Sequence, residues 1–328
     1  MRVYKISALE ANQRFDKYLF KLLKEAGKGF IFKMLRKKNI VLNGEKAEGN
    51  EILKEGDEVK LFMADETIDK FRGDIEKETW DIYEYTRAYE KYERGIEIIY
   101  EDDNVLLINK PAGILAQKAE AKGLSCNEWL IGYMLSTGAI TKEQLRTFKP
   151  SVCNRLDRNT SGLLICGKTL LGSQKMSELI KKREVKKFYR TFVKGSFENR
   201  VHLQGYLRKS EEINKVFITE EEVPDSERIE TIFEPIESGQ KASYIEVELI
   251  TGKTHQIRAH LASINHPILG DTKYGDKQFN ELTRVPHQLL HAYRLEFPAL
   301  EGEFAALSEK VFVAKEPPYF VHTKSLVR

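Results

Sequence analysis

The residues best suited to chemistry form a short polar segment between two apolar stretches. Residues 154–162 read NRLDRNTSG, so the carboxylate of Asp157 lies between Arg155 and Arg158. Neighbouring cations hold a carboxylate ionised, and an ionised carboxylate in a cleft can act as a nucleophile or as a general base. A structural ion pair in a tight turn would have the same pattern. The segment thus predicts either a catalytic aspartate or a charged structural turn.

A second segment matches the phosphate-binding loop of nucleotide-binding proteins. Residues 162–169 read GLLICGKT, which fits a glycine, four residues and then Gly-Lys-Thr. The four intervening residues are a continuous apolar run, and burying that run would also bury the backbone N–H groups that a phosphate must reach. We therefore expect a buried strand here, which leaves a nucleotide site as a remote alternative.

Histidines and cysteines offer two further candidates. His255 and His260 are five residues apart, whereas two metal ligands on one helical face need a spacing of roughly three or four. Cys153 has Arg155 nearby, but no histidine in the same stretch could serve as its base. We expect packed or hydrogen-bonded histidines, no metal site and an unreactive thiol.

The length and composition limit the class of protein. The chain has 328 residues, of which 41% are hydrophobic and 31% charged, enough for one large domain and a small one. Its three cysteines are too few for a disulfide framework and suit a reducing compartment. No apolar run approaches the ~20 residues of a membrane span. We expect a cytoplasmic protein without a membrane partner.

Charge is distributed unevenly along the chain. Residues 1–62 carry a net charge of +5, residues 63–104 carry −8, and the remainder carries +6. A basic head, an acidic connector and a basic body suggest a polyanionic partner, because lysine and arginine contacts to phosphate supply most of the sequence-independent affinity for nucleic acid. Ordinary solvated charge is the alternative that charge alone leaves open.

The head predicts a compact unit of two helices and a hairpin. Apolar residues recur at steps of three and four between Arg14 and Leu23, and an Asn-Gly turn at residues 43–44 marks the hairpin. This order resembles the small RNA-binding module named after ribosomal small-subunit protein four. We therefore expect residues 1–62 to bind RNA through Arg14 and the cationic side of the second helix, and residues 63–95 to form an acidic linker. The cations of that helix are Lys33, Arg36, Lys37 and Lys38.

From residue 96 onward, short β-rich runs alternate irregularly with helical segments. Predicted strands fall near residues 98–100, 105–108, 162–166, 189–193 and 244–250. Short strands with irregularly placed helices favour an α+β domain over residues 96–328, with a mixed, mainly antiparallel central sheet and flanking helices, rather than a doubly wound parallel sheet.

Six ordered motifs in the body resemble the RluA family of pseudouridine synthases. Residues 155–164 (RLDRNTSGLL) resemble the catalytic signature of that family. The other motifs are NKPAG at 109–113, KFYRTFVKG at 187–195, TGKTHQIRAHL at 251–261, HPILGD at 266–271 and LHA at 290–292. The basic head is a common attachment in the family. Two departures, Asn154 for the family's usual His and Asn159 for its Asp, bear on substrate preference.

The resemblance implies roles for the matched residues. Asp157 would be the catalytic carboxylate, Tyr189 would pack against the target uracil, and Arg258 would pair with Asp157 and orient it. Arg155 would enter the RNA stack near the vacated position. Our own assignment adds cations that would contact backbone phosphates: Arg158, Lys181, Lys182, Arg183, Lys186 and Lys187.

The implied chemistry fits these residue types. Isomerising uridine breaks the bond from ribose to a ring nitrogen, turns the freed uracil and re-forms the bond at a ring carbon, with no redox change and no imported group, so neither a cofactor nor a metal is expected. The base must leave its stack, at a cost of roughly a few kcal/mol, which suits an aromatic platform and a space-filling arginine. Whether the carboxylate attacks the sugar or assists proton removal stays open.

We therefore predict a monomeric RNA pseudouridine synthase. By analogy with the family, its substrate would be structured ribosomal RNA, of the large subunit, rather than transfer RNA. A noncatalytic RNA-binding or ribosome-assembly protein on the same fold is the alternative, and a phosphate-loop NTPase is a distant third.

Overall fold

The N-terminal part of the chain folds around its own apolar core. The computed structural model describes residues 1–73, 75–118, 123–210 and 215–327. The first elements are β1 (Arg2–Lys5), α1 (Phe15–Leu22), α2 (Lys28–Arg36), β2 (Ile40–Leu42), β3 (Glu45–Lys46) and β4 (Glu58–Leu61). The strands form an antiparallel sheet in the order β1-β4-β2-β3, so the expected two helices are present and the two strands of the expected hairpin gain two further strands. The apolar face of α1, including Phe15 and Leu19, is buried, as its spacing predicts.

The acidic connector forms two helices. It forms α3 (Asp65–Arg72) and α4 (Ile75–Tyr92). The later part of α4 packs against α5 (Cys126–Ser136), where Ala88 is fully buried and a Cβ at Gly132 would lie 2.2 Å from the backbone oxygen of Tyr85. Because only a glycine permits this approach, α4 is a packed part of the body surface, whereas α3 packs on the head, whose apolar core includes Ile68.

The body is built on an 11-stranded mixed sheet. Its strands are β5 (Glu97–Glu101), β6 (Val105–Lys110), β7 (Ser151–Val152), β8 (Ser161–Gly167), β9 (Lys186–Lys194), β10 (Val201–Ser210), β11 (Lys215–Thr219), β12 (Ser226–Ser238), β13 (Ala242–Leu249), β14 (Leu290–Glu296) and β15 (Val311–Val313). The main path runs β11-β10-β12-β13-β9-β14-β8-β6-β5, with β7 on β8 and β15 on β14. Only the pairing of β14 with β8 is parallel among the strands described. The expectation of a mixed, mainly antiparallel α+β sheet is confirmed.

Four further helices belong to the body. Besides α5, they are α6 (Leu170–Lys181), α7 (Gln256–Ser263), α8 (Lys277–Thr283) and α9 (Pro318–Thr323). Among the described residues, no helix has the length and apolar character needed to cross a bilayer.

The segment that matched a phosphate-binding loop is a buried strand. Every residue of β8 is buried, and the strand pairs with β6. The ammonium of Lys168 donates to Glu101 Oε1 at 2.7 Å, and Thr169 Oγ1 accepts the N–H of Gly172 at 2.9 Å as the cap of α6. Since both side chains are committed to structure, the apolar run decides the local fold and the nucleotide alternative is wrong.

The buried histidines His260 and His291 and the thiol of Cys153 have structural roles. His260 Nδ1 lies 2.9 Å from Thr231 Oγ1, and His291 Nδ1 lies 2.8 Å from Ser161 Oγ. Burial raises the pKa of the Cys153 thiol to about 12, which keeps it protonated and unreactive at neutral pH. Across the described ranges, no group of three or more His, Cys, Asp or Glu side chains is arranged to hold a metal ion.

Candidate active site

An open cleft of about 1030 Å³ lies over the polar turn between β7 and β8. Its walls come from residues 154–160, from the start of β9, from strands β10 and β11, and from residues 252–258 at the beginning of α7. Residues that are distant in sequence therefore meet around Asp157, whose side chain is 27% exposed.

The backbone around Asp157 is held by the segment that follows β6. The carbonyl of Arg158 accepts the N–H of Gly113 at 2.8 Å and the ammonium of Lys110 at 3.1 Å. The N–H of Thr160 closes the turn by donating to the carbonyl of Asp157 at 3.1 Å. Two motifs that are separate in the sequence thus form one supported loop.

Glycine is required where this turn enters β8. Gly162 has a φ of 109°, and a Cβ there would lie 2.2 Å from the carbonyl oxygen of Ala292 on β14. A side chain at this position would separate the two parallel strands. The glycine therefore allows β8 to pair closely with β14, and this pairing positions the turn that carries Asp157.

Asp157 is paired with an arginine that comes 101 residues later in the chain. Arg258 Nη1, on α7, donates to Asp157 Oδ2 at 2.7 Å. The same guanidinium donates from Nε and Nη2 to the two carboxylate oxygens of Asp271, at 2.6 and 2.9 Å. Burial lowers the pKa of Arg258, but the bonds and charges of Asp271 and Asp157 have a larger effect, so the net pKa is raised. The guanidinium stays charged and orients Asp157 from a fixed position.

The two oxygens of Asp157 have different surroundings. Oδ2 receives the bond from Arg258, and the imidazole Nε2 of His255 lies 3.9 Å from the same oxygen. No hydrogen bond to Oδ1 is made by the part of the chain that the structure describes. Oδ1 is therefore the oxygen that remains available in the cleft.

Tyr189 lies on β9 and lines the cleft close to Asp157. Its side chain is 6% exposed. Burial, and to a lesser degree the charge of Asp157, raises its pKa. The phenol is therefore neutral, and the ring is held rigidly within the wall.

The predicted RNA-contacting residues of the body fall into two groups. Arg155 and Arg158 are exposed at the rim of the cleft. Four cations at the end of α6 and the start of β9 are exposed as well: Lys181, Lys182, Arg183 and Lys186. Lys187 differs, because it is only 8% exposed and lies in the cleft wall. Alternation along β9 turns Lys187 to the same side as Tyr189, so Lys187 lies apart from the four exposed cations.

The predicted cations of the head lie on its surface. Lys33 and Arg36 are exposed on α2, whereas the equally exposed Lys37 and Lys38, predicted on the same helix, follow its last residue, because the chain leaves the helical conformation there and Lys38 has a left-handed φ of 58°. Arg14 is half exposed and pairs with Asp16 at 2.8 Å. The head contacts the body where the carbonyl of Leu9 accepts the N–H of Leu170 at 3.1 Å and where Thr147 donates to the buried carboxylate of Glu10.

Sequence reasoning assigned no role to several residues that build the site. Asp271 and Lys110 were both within recognised motifs, and this was the only signal available for them. Asn154, which departs from the family pattern, has a structural use, because its Oδ1 accepts the N–H of Ile165 at 2.7 Å.

Lys110 is expected to stabilise the loop that carries Asp157. Its ammonium is fully buried and donates to the carbonyls of Pro111, Ile114 and Arg158 at 3.0, 2.7 and 3.1 Å, while burial lowers its pKa to about 8. Lys110→Met keeps the volume but leaves these carbonyls without their donor, so we expect the free energy of unfolding to fall by about 1–3 kcal/mol. Urea unfolding measures this loss, and Lys142→Met, at an exposed position, is the control. Equal stabilities of the two variants would contradict the role of Lys110.

Comparisons with known proteins agree with this geometry. Residues 104–263 match the family described as RNA pseudouridylate synthase. An uncharacterized RNA pseudouridine synthase of Mycoplasma genitalium is 30% identical over 323 residues, which cover 94% of each chain. The ribosomal large subunit pseudouridine synthase C of Vibrio parahaemolyticus is 30% identical over 88% of this chain and 85% of its own. A solved structure, the human RNA pseudouridylate synthase domain containing 4, shares the fold with a TM-score of 0.60 at 22% identity, over 75% of this chain and 97% of its own.

The mixed sheet, the open cleft and these matches define an enzyme that modifies RNA. The chain belongs to the RNA pseudouridine synthase family. It is an isomerase that converts uridine in RNA to pseudouridine.

Proposed function

We propose that this enzyme acts on specific uridines of large-subunit ribosomal RNA and that Asp157 is its catalytic carboxylate. The observation that carries the residue assignment is the bond of 2.7 Å between Arg258 and Asp157 at the floor of an open cleft. The choice of RNA is supported by the names of similar proteins, such as the large-subunit synthase of Vibrio parahaemolyticus. Ribosomal RNA as substrate would place the enzyme in the cytoplasm.

The reaction needs one carboxylate oxygen that can reach either the sugar carbon or a proton on the sugar. Arg258 occupies Oδ2 of Asp157, so Oδ1 would approach the nucleoside, either as a nucleophile or as a base. Because Arg258 is itself held by the buried Asp271, the carboxylate need not reorganise when the substrate arrives. The position of the charge is set before the reaction begins.

The target base would have to leave the RNA stack to reach this oxygen. A cleft of about 1030 Å³ has the size typical of pockets for small molecules and can take an extruded nucleoside. Tyr189 would support the uracil ring, and the exposed Arg155 at the rim would fill the gap left in the RNA. These roles follow the family resemblance and rest on the positions of both side chains around Asp157.

The remaining cations would bind the RNA backbone. Arg158 and the exposed run that ends α6 flank the cleft. Lys187 would act from inside the cleft wall, where an RNA phosphate would be a suitable counter-ion for its buried ammonium. Asp157, Arg258 and Asp271 all come from one chain, which supports a monomer as the active unit.

The head, residues 1–62, would form a second contact with RNA. Its exposed cations lie on α2 and directly after its C-terminal end, where they could follow a phosphate backbone. The contacts of Leu9 and Glu10 with the body would hold these cations at a set distance from the cleft. A substrate that reaches both surfaces must be large and folded, as ribosomal RNA is.

Changing Arg36, Lys37 and Lys38 together to alanine should weaken RNA binding and reduce its salt dependence. Each lost phosphate contact lowers the slope of log affinity against log salt by about 0.7–0.9, so a loss of roughly two units is expected. Filter binding at several salt concentrations measures the slope. The matched control changes Lys5, Lys46 and Lys54, which are exposed elsewhere in the head. An equal slope in both triple variants would remove Arg36, Lys37 and Lys38 from the interface.

The substrate is tested by adding the purified protein to transcripts of large-subunit ribosomal RNA and of transfer RNAs. We expect pseudouridine only in the ribosomal transcript, at sites that are also unmodified in total RNA from a strain lacking the protein. Modification of transfer RNA alone would overturn the proposed substrate. Binding to ribosomal RNA without product in any transcript would favour a noncatalytic assembly factor.

A further inference from the structure

His255 lies at the entrance to α7 in an unusual backbone conformation. It is the N-cap of the helix, with a left-handed φ of 57°, which few residues other than glycine adopt. Its imidazole lines the cleft and lies between two polar groups. Nε2 is 3.9 Å from Asp157 Oδ2, and Nδ1 is 3.1 Å from the hydroxyl oxygen of Tyr274.

The hydrogen bonds around Tyr274 define the proton positions on His255. The hydroxyl oxygen of Tyr274 accepts the backbone N–H of Val216 on β11 at 2.8 Å, so its own hydrogen is free to be donated to Nδ1. A neutral imidazole that accepts at Nδ1 carries its hydrogen on Nε2. This N–H then faces the oxygen of Asp157 that Arg258 already holds, at 3.9 Å, an electrostatic contact that is longer than a hydrogen bond.

The electrostatic surroundings favour these neutral forms. Burial lowers the pKa of His255, and the nearby charges of Arg258 and Lys273 lower it further, whereas Asp157 and Asp271 raise it. Burial raises the pKa of Tyr274. At neutral pH a neutral imidazole and a protonated phenol meet in the geometry described.

We propose that His255 and Tyr274 are a pair of positioning residues that hold the Oδ2 side of the Asp157 carboxylate, leave Oδ1 for the nucleoside and connect the carboxylate to strand β11. This inference rests on the proposed role of Asp157. It assigns a use to the left-handed conformation of His255, because the imidazole bridges the cleft floor and Tyr274 from that position.

The partner of His255 is itself fixed by the site. Asp271 Oδ1 accepts the backbone N–H groups of Lys273 and Tyr274 at 2.8 and 3.0 Å, and the same carboxylate binds Arg258. One buried carboxylate therefore sets the positions of both supports of Asp157. The ring of Tyr274 also lies 5.2 Å from the guanidinium of Arg258.

The connection reaches the part of the cleft that RNA would touch. Strands β10 and β11 contribute Lys209, Lys215 and Val216 to the cleft wall. The backbone of Val216 is bonded to Tyr274, so a shift of β11 on RNA binding would change the support of Asp157.

The test uses two conservative variants and their combination. His255→Asn removes the imidazole while keeping a residue type that tolerates a left-handed backbone, and Tyr274→Phe removes only a hydroxyl. We expect kcat to fall about 10- to 100-fold in each, as for a misplaced reacting group, with KM changing less than about threefold. The double variant should be about as slow as the slower single variant, since both remove one shared connection. Tyr133→Phe, which breaks the bond of that hydroxyl to Glu101 outside the cleft, should keep the wild-type kcat.

Each outcome bears on one proposal. Unchanged kcat in both single variants, or losses that multiply in the double variant, would overturn the pairing of His255 with Tyr274. If His255→Asn does not fold, Tyr274→Phe carries the test by its kcat and KM alone. The role of Asp157 is judged separately, by the variant Asp157→Asn. If this variant forms pseudouridine as the wild-type enzyme does, Asp157 is not the catalytic carboxylate, and the proposed role of His255 and Tyr274 is overturned as well.

Discussion

Replacing Asp157 by asparagine should abolish pseudouridine formation while RNA binding persists. The amide has almost the same shape but cannot act as a nucleophile or as a base, so we expect the rate to fall by about 10³-fold or more. Arg258 keeps both bonds to Asp271, and the free energy of unfolding should therefore fall by no more than about 2 kcal/mol. Single-turnover assays on ribosomal transcripts measure the rate.

RNA affinity separates loss of chemistry from loss of the fold. Removing a negative charge from a cationic cleft should leave affinity for a polyanion equal or slightly higher. The matched control is Asp225→Asn, because Asp225 is an exposed turn residue of the body and its replacement should not change the rate. Product formation by Asp157→Asn near the wild-type rate would refute the catalytic assignment.

Asp271→Asn should have the largest effect on stability. The Asp271 side chain is 0% exposed and accepts four hydrogen bonds, two from Arg258 and one each from the N–H groups of Lys273 and Tyr274. The NH₂ group of an asparagine at this position would face N–H donors of Arg258 or of the backbone. The buried guanidinium of Arg258 would also keep only one of its two carboxylate partners, Asp157. We expect the free energy of unfolding to fall by about 3–5 kcal/mol, with a loss of activity because Asp157 loses its support.

This stabilisation should depend on pH in a defined direction. Burial raises the pKa of Asp271, but the bonds from Arg258 and from the backbone outweigh that effect and leave the pKa below its ordinary value. A carboxyl whose folded pKa is lowered stabilises the fold above its unfolded pKa of about 3.9 and loses this effect as the pH falls through the folded value. The difference in stability between wild type and Asp271→Asn should be complete at neutral pH and shrink below about pH 4.

Urea unfolding at a series of pH values checks both parts of this prediction. Asp225→Asn is again the control, because Asp225 is an exposed turn residue of the body and its replacement removes the same charge without a buried partner. A stability difference that stays constant down to pH 3, roughly one unit below the unfolded pKa, would show that the charge of Asp271 is not its source.

Local patterns predicted several elements of the fold and part of the site correctly. The apolar run of residues 163–166 predicted strand β8 against a competing motif, because side-chain burial is dictated by local composition. The alternation of short strands predicted a mixed sheet. Asp157, Tyr189 and Arg258 were identified through motifs, and the structure brings all three into the lining of one cleft, although their chemical roles remain predictions.

Other features could not be read from local patterns. The connector's acidic composition suggested a linker. In the structure α4 packs closely against α5, because Gly132 of α5 has no side chain to separate it from the backbone of Tyr85, and Ala88 is buried in the same core. Lys187 belongs to a cationic run by composition, yet strand alternation buries it in the cleft wall. For α4 the deciding contact is with a residue far away in the chain, and for Lys187 it is the side of β9 that faces the cleft.

The sequence by itself determined the chemical groups of this protein, its strand-forming runs and its family. Only the tertiary structure decided that Arg258 bonds to Asp157 across 101 residues and that the buried Asp271 holds that arginine. The physical reason is that apolar periodicity and turn residues act over a few positions, whereas the place of α7 beside the turn of Asp157 depends on the order of strands in the whole sheet. That order is set by the packing of all the strands together, and it positions the reactive carboxylate.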